Sequence, residues 1–199
     1  MSVYEYERGT YIFNSKDLCM IEHLPEMLDA GIDSLKIEGR MKTALYVATT
    51  ARTYRKALDD YKESTEKYLA NMDWYQKQIS SCTYRKFTTG FFFGKPSEDA
   101  QIYDSNTYVK GYTYLGVVEE VTEKGLLKIT QRNKFSLGEQ IEVMQPSGED
   151  KICSVKAIYD EEGNSVESAP HPKQILYVDL GLDPMDVSVY DILRREEEN

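Results

Sequence analysis

Glu38-Gly39-Arg40-Met41-Lys42 puts a carboxylate, two cations and a glycine into five consecutive positions. A carboxylate at such a place can serve as a general base. Arginine can take a carboxylate or phosphate through two parallel hydrogen bonds, and lysine acts as a point charge. Gly39 can let backbone approach a ligand closely or adopt positive φ. Asn14-Ser15-Lys16-Asp17 is a second stretch of this kind, again combining a cation, an anion and small polar groups. The same residues equally suit a structural turn in which Glu38 pairs with Arg40 or Lys42 and pins a strand end. Spacing alone leaves both readings open.

Other reactive groups are sparse. Ser15, His23 and several aspartates are the ingredients of a serine triad. No nucleophile-elbow motif occurs, however, and His23 sits inside a helical stretch beside Leu24-Pro25. Cys19, Cys82 and Cys153 are far apart in sequence, which is neither a disulfide framework nor a CxxC metal site. Reduced thiols follow, and no metal site is expected from this chain alone, since His23 and His171 are its two histidines. Cys19 lies near a loop and could be a thiolate or cluster ligand, but a lone cysteine in an apolar helical stripe ordinarily serves packing. The glycine-bounded run Gly90-Phe91-Phe92-Phe93-Gly94 reads either as an aromatic platform for a ring-shaped ligand or as a plug docking two parts of the protein together.

The charged loops need strands and helices to hold them. Tyr11-Ile12-Phe13 is a short apolar run leading to Ser15 or Asp17, either of which can cap a helix. That helix carries Leu18, Ile21, Leu24 and Leu28 at helical spacing; Pro25 splits it and Gly31 closes it. A strand over 34–37, the charged loop and a long helix over about 43–64 follow. The helix takes Val47, Ala51, Tyr54, Leu58 and Tyr61 as its apolar stripe. The order β-α-β-α is that of a parallel sheet, whose functional face lies at the strands' C-terminal ends. Both charged loops leave that face, and each leads into a helix N-terminus that favours anions.

Two βα units close neither a barrel nor a doubly wound sheet. Residues 1–69 are therefore expected to be the last two βα units of an incomplete (β/α) barrel, which makes the chain a fragment. A bridging helix over about 70–81 and an aromatic linker fill 70–110. Six short strands over 112–121, 126–130, 140–144, 151–159, 174–180 and 187–193, separated by glycine turns, predict a small antiparallel β-barrel within 111–195. The fold class is thus an α+β fragment. An exposed parallel strand edge is prone to pair with a second copy, so either a homodimer through that edge or a rearranged N-terminal region is expected.

Composition narrows the partners. The formal net charge is −10, and residues 1–86 hold 13 basic and 13 acidic side chains, so the entire excess lies in 87–199. A general phosphate-binding face needs the opposite sign, so any nucleic-acid contact has to be local. The 16 tyrosines suit amphipathic packing at element edges. No apolar run approaches the roughly 18–20 residues of a membrane span, and no signal peptide opens the chain. No membrane partner is expected.

Four motifs in order carry a resemblance: Phe13-Asn14-Ser15-Lys16-Asp17-Leu18; Ala30-Gly31-Ile32-Asp33-Ser34-Leu35-Lys36-Ile37-Glu38-Gly39-Arg40-Met41-Lys42; Phe87-Thr88-Thr89-Gly90-Phe91-Phe92-Phe93-Gly94; and Pro170-His171-Pro172-Lys173-Gln174. Together they resemble the collagenase-like peptidase family, family thirty-two among peptidases of unknown catalytic type, from about residue 9 to residue 195. The resemblance implies a bacterial cytoplasmic protein with an N-terminal (β/α) barrel and a C-terminal β-barrel like those of translation factors. The family's cysteine-containing signature is expected upstream, and the missing part of the barrel would be this chain's partner. Relatives include proteins needed to hydroxylate tRNA, ribosomal RNA and quinone precursors, some with iron–sulfur clusters. Such a cluster is expected, if at all, in the full-length parent and not on this fragment. Under the resemblance, Asn14, Lys16, Asp17, Arg40 and Lys42 line the barrel mouth as substrate-binding residues, Glu38 is the catalytic candidate, and the β-barrel acts as a lid or positioning module.

Three functions stay open at this stage. The parent is a peptidase and this piece holds part of its active-site rim; the parent modifies RNA with a redox centre upstream; or the chain is a binding module without activity of its own. A peptide or an RNA is the substrate accordingly. No complete set of nucleophile, base and oxyanion donors can be assembled from these residues.

Overall fold

A computed structural model describes residues 3–6, 9–12, 14–82, 85–96, 101–102 and 111–197; side chains are described from Lys16 onward, except at 101–102. Phe13, the expected end of the first strand, most of the expected linker after Pro96 and the Glu198-Asn199 tail lie outside the described residues. The chain divides into two units, residues 1–38 with 53–110 and residues 39–52 with 111–199.

In the first unit, β1 (Val3–Tyr6) and β2 (Gly9–Ile12) form an antiparallel hairpin. β3 (Asn14–Ser15) and β4 (Asp17–Leu18) follow, then a 3-10 turn over Ile21–His23 and α1 (Leu24–Asp29). Pro25 occupies the first turn of α1, where no intrahelical N–H is needed. The helix closes on Gly31 at φ 79: Gly31 N–H donates to the Leu28 carbonyl at 2.9 Å, and Ile32 N–H to the Met27 carbonyl at 3.3 Å. These are the paired bonds of a Schellman end, which requires a left-handed residue. α2 (Ala44–Glu63), which belongs to this unit from Thr53 on, starts at Thr43, whose hydroxyl accepts from Tyr46 N–H at 3.3 Å. α3 (Thr65–Ala70) starts at Ser64, which accepts from Lys67 N–H at 3.1 Å, and α4 (Met72–Ser81) follows directly. β5 (Phe87–Thr88) pairs parallel with β4, and β6 (Gln101–Ile102) antiparallel with β3.

Ile21, Leu24, Ala57, Tyr68, Tyr75 and Ile79 form the core of this unit. The Tyr68 and Tyr75 rings stack with centroids 5.8 Å apart. Each buried ring keeps a partner for its polar tip: the Tyr68 hydroxyl donates to the Ile21 carbonyl and the Tyr75 hydroxyl to Asp60 Oδ2, both at 2.6 Å. Asp60, 4% exposed, also accepts from Asn71 at 2.9 Å and pairs with Lys56 at 3.0 Å. Burial disfavours its charge, but hydrogen bonds from Tyr75, Lys56 and Asn71 and the charge of Lys56 outweigh that and hold the carboxyl below the usual aspartate value. Burial likewise pushes the Tyr68 phenol up to about 12.

This unit is not the tail of a (β/α) barrel. Residues 34–37 form no strand, and among the described residues the one parallel pair, β4 with β5, is two residues long. Leu35 and Ile37 alternate as a strand would, but a strand also needs a neighbour for its backbone groups, and 34–37 pairs with none in the described sheets. Among the described residues no parallel strand edge is formed at 34–37. The helix expected from Ser15 or Asp17 begins only at Ile21, because residues 14–18 are committed to backbone pairing; Asp17 N–H donates to the Lys86 carbonyl and Cys19 N–H to the Thr88 carbonyl, each at 3.0 Å.

The second unit is built on β7 (Tyr112–Val121), β8 (Leu127–Thr130), β9 (Phe135–Ser136), β10 (Gln140–Met144), β11 (Lys151–Ser154), β12 (Ala157–Tyr159), β13 (Ser168–Ala169), β14 (Ile175–Asp179) and β15 (Ile192–Glu196). Seven of these form one antiparallel sheet in the order β11-β10-β15-β7-β8-β14-β12, while β9 and β13 pair separately. Leu115, Val118, Ile129, Phe135, Val143, Ile158, Leu176, Val178 and Leu193 are its fully buried centre.

The sheet is a curled, open half-barrel and not the closed antiparallel barrel expected. Its end strands β11 and β12 are not paired with each other. They are nevertheless joined by Val155 and Lys156 alone: Val155 N–H donates to the Glu139 carbonyl on the β10 side, and Lys156 N–H to the Asp179 carbonyl on the β14 side. So short a link, reaching about 11 Å at full extension, forces the two ends towards each other without zipping them. Register shifts in β7 opposite Leu193/Arg194 and again between Val118 and Glu120 supply the bend.

Candidate functional site

The charged loop rests on the first turn of α2, whose residues up to Arg52 belong to the second unit. Lys42 N–H donates to the Gly39 carbonyl at 2.9 Å, closing a turn. The Lys42 ammonium lies 5.1 Å from the Tyr46 ring centroid. A Cβ added to Gly39 would fall 3.0 Å from Val47 Cγ2 and 3.5 Å from the Tyr46 ring, so a side chain here would crowd Val47, and positive φ plays no part. Arg40 is exposed and Lys42 half-buried.

The expected apolar stripe fails in this part of α2: Val47 is 45% exposed and Ala51 is exposed too. Leu45, Thr49 and Arg52 face the sheet instead. Leu45 clusters with Met144 and Ile192, and the Thr49 hydroxyl lies 3.3 Å from Met144 Sδ. The Arg52 guanidinium donates through Nη1 and Nη2 to the two oxygens of Asp150, and through Nη1 to the Gln145 carbonyl at 2.8 Å. Asp150 also accepts from Arg194 Nη2 at 2.9 Å and from Gln145 N–H at 3.1 Å. Arg194 donates further to Glu142 at 2.5 Å and stacks 4.1 Å from the Tyr112 ring centroid. Two buried arginines thus face two carboxylates, and every charge has an opposite beside it. This network positions the helix that follows the loop of Arg40 and Lys42. Its one sequence signal is that Arg52 continues the helical spacing of Leu45 and Thr49, a signal that apolar periodicity passes over.

The remaining candidates lie in the first unit. The Asp17 carboxylate accepts from Arg85 N–H at 3.0 Å and so ties β4 to the chain entering β5. Lys16 is half-buried beside it, and Glu38 is exposed. Asn14 sits in β3, with its side chain outside the described residues. Asn14, Lys16, Asp17 and Glu38 therefore belong to one unit, and Arg40 and Lys42 to the other.

No nucleophile–base pair is assembled among the described residues. His23 Nδ1 lies 3.3 Å from Glu26 Oε1, and its ring is 4.5 Å from Phe93; His171 is exposed. Cys19 Sγ is 3.8 Å from the Tyr54 hydroxyl, which accepts from Met20 N–H at 3.0 Å; burial raises the thiol above its ordinary value. Burial pushes the Cys153 thiol up to about 11. Neither is a ready thiolate. No group of three or more His, Cys, Asp or Glu side chains among the described residues could hold a metal ion. The three cysteines of this chain, which form no such group, do not fit an iron–sulfur cluster.

Two surfaces remain. Phe91, Phe92 and Phe93 are 78%, 54% and 60% exposed in the first unit. In the second, a groove of about 620 Å³ is lined by Glu139, Glu142, Glu196, Glu197 and Arg195; Glu139 pairs with Arg195 and Glu142 with Arg194, and the lining stays net negative, a sign that repels phosphate. No helix among the described residues is long and apolar enough to cross a membrane.

Comparison with known proteins bears on the same residues. The pattern described as Peptidase family U32 matches residues 2–102, and that described as Peptidase family U32 C-terminal domain matches residues 110–194. The chain is 35% identical to tRNA hydroxylation protein P1 of Bacillus subtilis, over 88% of this chain and 42% of that one. It is 30% identical to tRNA hydroxylation protein P of Escherichia coli, over 98% of this chain and 42% of the relative. A collagenase of Porphyromonas gingivalis is 32% identical over 94% of this chain and 52% of its own length. The chain thus spans about half the length, or less, of these curated relatives. The solved C-terminal domain of a Geobacillus thermoleovorans protein described as a U32 peptidase is 28% identical, with a TM-score of 0.38, covering 43% of this chain and 92% of that domain.

Proposed function

The chain belongs to peptidase family U32, and from that membership we propose that it serves tRNA hydroxylation, as the part of the protein that engages and positions the RNA. The observation that carries this reading is sustained similarity to proteins named for tRNA hydroxylation, over 88% and 98% of the chain. In this reading Arg40 and Lys42, at the capped start of α2, and Lys16 beside β4 contact phosphates. Asn14 and Asp17 supply polar contacts, and Glu38 accepts a proton. Residues 1–69 and 70–110 form the substrate-facing part, 111–195 positions the substrate, and the site of action is the cytoplasm.

The test is complementation. A bacterial strain lacking its own counterpart receives the full-length protein or its Arg40→Ala/Lys42→Ala variant, and hydroxylated nucleosides in bulk tRNA are measured by mass spectrometry. The variant is expected to restore hydroxylation at least about tenfold less well, the equivalent of one lost charged contact of about 1.4 kcal/mol. Equal restoration would remove the loop from the reading, and no restoration by the unaltered protein would remove the reading itself. Proteolysis is the second reading, favoured by the likeness to the Porphyromonas gingivalis collagenase. Gelatin cleavage by the purified protein would put it first.

A further inference from the structure

β8 pairs with β14 through Thr130 and Ile175, and β9 with β13 through Phe135 and Ala169. Residues 131–134 link β8 to β9, and residues 170–174 link β13 to β14. Both segments are therefore clamped side by side between two ladders. Gln131 N–H donates to the Gln174 carbonyl at 2.8 Å, and Lys173 N–H to the Gln131 carbonyl at 2.7 Å. The fully buried Gln131 side chain donates to the Ala169 carbonyl at 2.8 Å, and His171 N–H to Gln174 Oε1 at 3.2 Å. Pro170 and Pro172 restrict the backbone around His171.

The charge of this face runs against its surroundings. Residues 131–134 and 170–174 contain Arg132, Lys134 and Lys173 and no carboxylate, whereas the whole excess of negative charge lies in residues 87–199. Arg132, Lys134, His171 and Lys173 are all exposed, and no carboxylate lies within ion-pair distance of the three permanent cations among the described residues. Lys173 has φ 72, a left-handed conformation that glycine would adopt without strain.

We propose that this face is a phosphate-backbone contact for RNA, a second contact for the polymer engaged in the proposed function, on which the inference rests. Three exposed cations on two segments joined by backbone hydrogen bonds can each meet a phosphate. The groove lined by Glu139, Glu142, Glu196 and Glu197 borders this face, since Arg195 of that groove donates to the Lys134 carbonyl at 3.3 Å, and its net negative lining disfavours phosphate on that border.

The test is fluorescence anisotropy of the full chain with fluorescein-labelled unfractionated tRNA, over about 50–300 mM KCl. The variant is Arg132→Ser/Lys134→Ser/Lys173→Gly. Its affinity is expected to fall at least about tenfold at the low-salt end, and the slope of log K against log salt to shrink by about 2. Its thermal midpoint should not fall, because Lys173→Gly relieves the left-handed backbone. Lys62→Gln/Lys77→Gln/Lys124→Gln is expected to change neither affinity nor slope by as much. If the unaltered chain binds tRNA and the first variant binds equally well, this contact is wrong and the proposed function stands. Failure of the unaltered chain to bind tRNA overturns both. Equal loss towards poly-glutamate would overturn RNA as the partner.

Discussion

Asp150→Ala removes the acceptor shared by Arg52 and Arg194. The two arginine side chains are 4% and 1% exposed, so neither can turn to bulk water when Asp150 is gone. Arg194 keeps Glu142 and Arg52 keeps the Gln145 carbonyl, but Arg52 loses its carboxylate in this network and Gln145 N–H loses Asp150 as acceptor. Breaking a buried pair by deleting one partner costs about 3–5 kcal/mol, and Glu142 keeps the loss towards the lower figure. At about 4–8 °C per kcal/mol for a unit of this size, the second unit should melt at least about 12 °C lower. Far-UV circular dichroism melts measure the drop, and hydrogen exchange should localise it to the amides of β10 and β15. Trp74, the single tryptophan, lies in the first unit and gives a separate fluorescence reading there. Asp59→Ala is the comparison: its pair with Arg55 has both side chains 62% exposed, and its loss should cost under about 0.5 kcal/mol. If Asp150→Ala cost no more than that, the network would be as wet as a surface pair, and its role in positioning α2 would fall.

Two further outcomes follow. The Asp60 carboxyl is held below its ordinary value, so the unfolded chain binds its proton more readily than the folded one does. Its stabilisation is fully present well above the unfolded aspartate value of about 3.9 and is lost as pH falls through that value and then the lower folded value. Asp60→Asn should flatten this acid limb and lower stability at pH 7 by about 1–3 kcal/mol, as urea titrations across the acid range would show. Burial raises the Cys19 and Cys153 thiols, and Cys82 is 2% exposed, so all three should react with a disulfide reagent at pH 8 far more slowly when folded than in urea; immediate reaction of one equivalent would refute this.

How much of this was legible in the sequence depended on how local the cause was. The limits of α2 were readable because Thr43 caps it through its own neighbours, and β10 was readable because Ile141 and Val143 alternate cleanly into the core. The buried face of α2 was not, because its key residues there, Thr49 and Arg52, are polar and owe their burial to partners on β10 and in the 145–150 turn. A single strand over 151–159 was expected; it is cut at Val155-Lys156, where the chain changes sheet partner. Barrel closure was illegible for the same reason, since it depends on whether strands far apart in the sheet find one another. Of the candidate residues, the charged loop was visible as a loop, but Asp17 gave no sign that its carboxylate would cap the backbone of Arg85.

The strand order of the second unit has a consequence for synthesis. β15, last in sequence, lies in the interior of the sheet, between β10 and β7, the first strand. A ribosome releasing this chain has therefore delivered every other strand before the central ladder can form. Until Ile192–Glu196 emerges, β10 with β11 and β7 with β8 present two open edges facing a gap, the state in which strands from different chains mispair. Loss of a few residues there would split the sheet through its middle instead of trimming its rim.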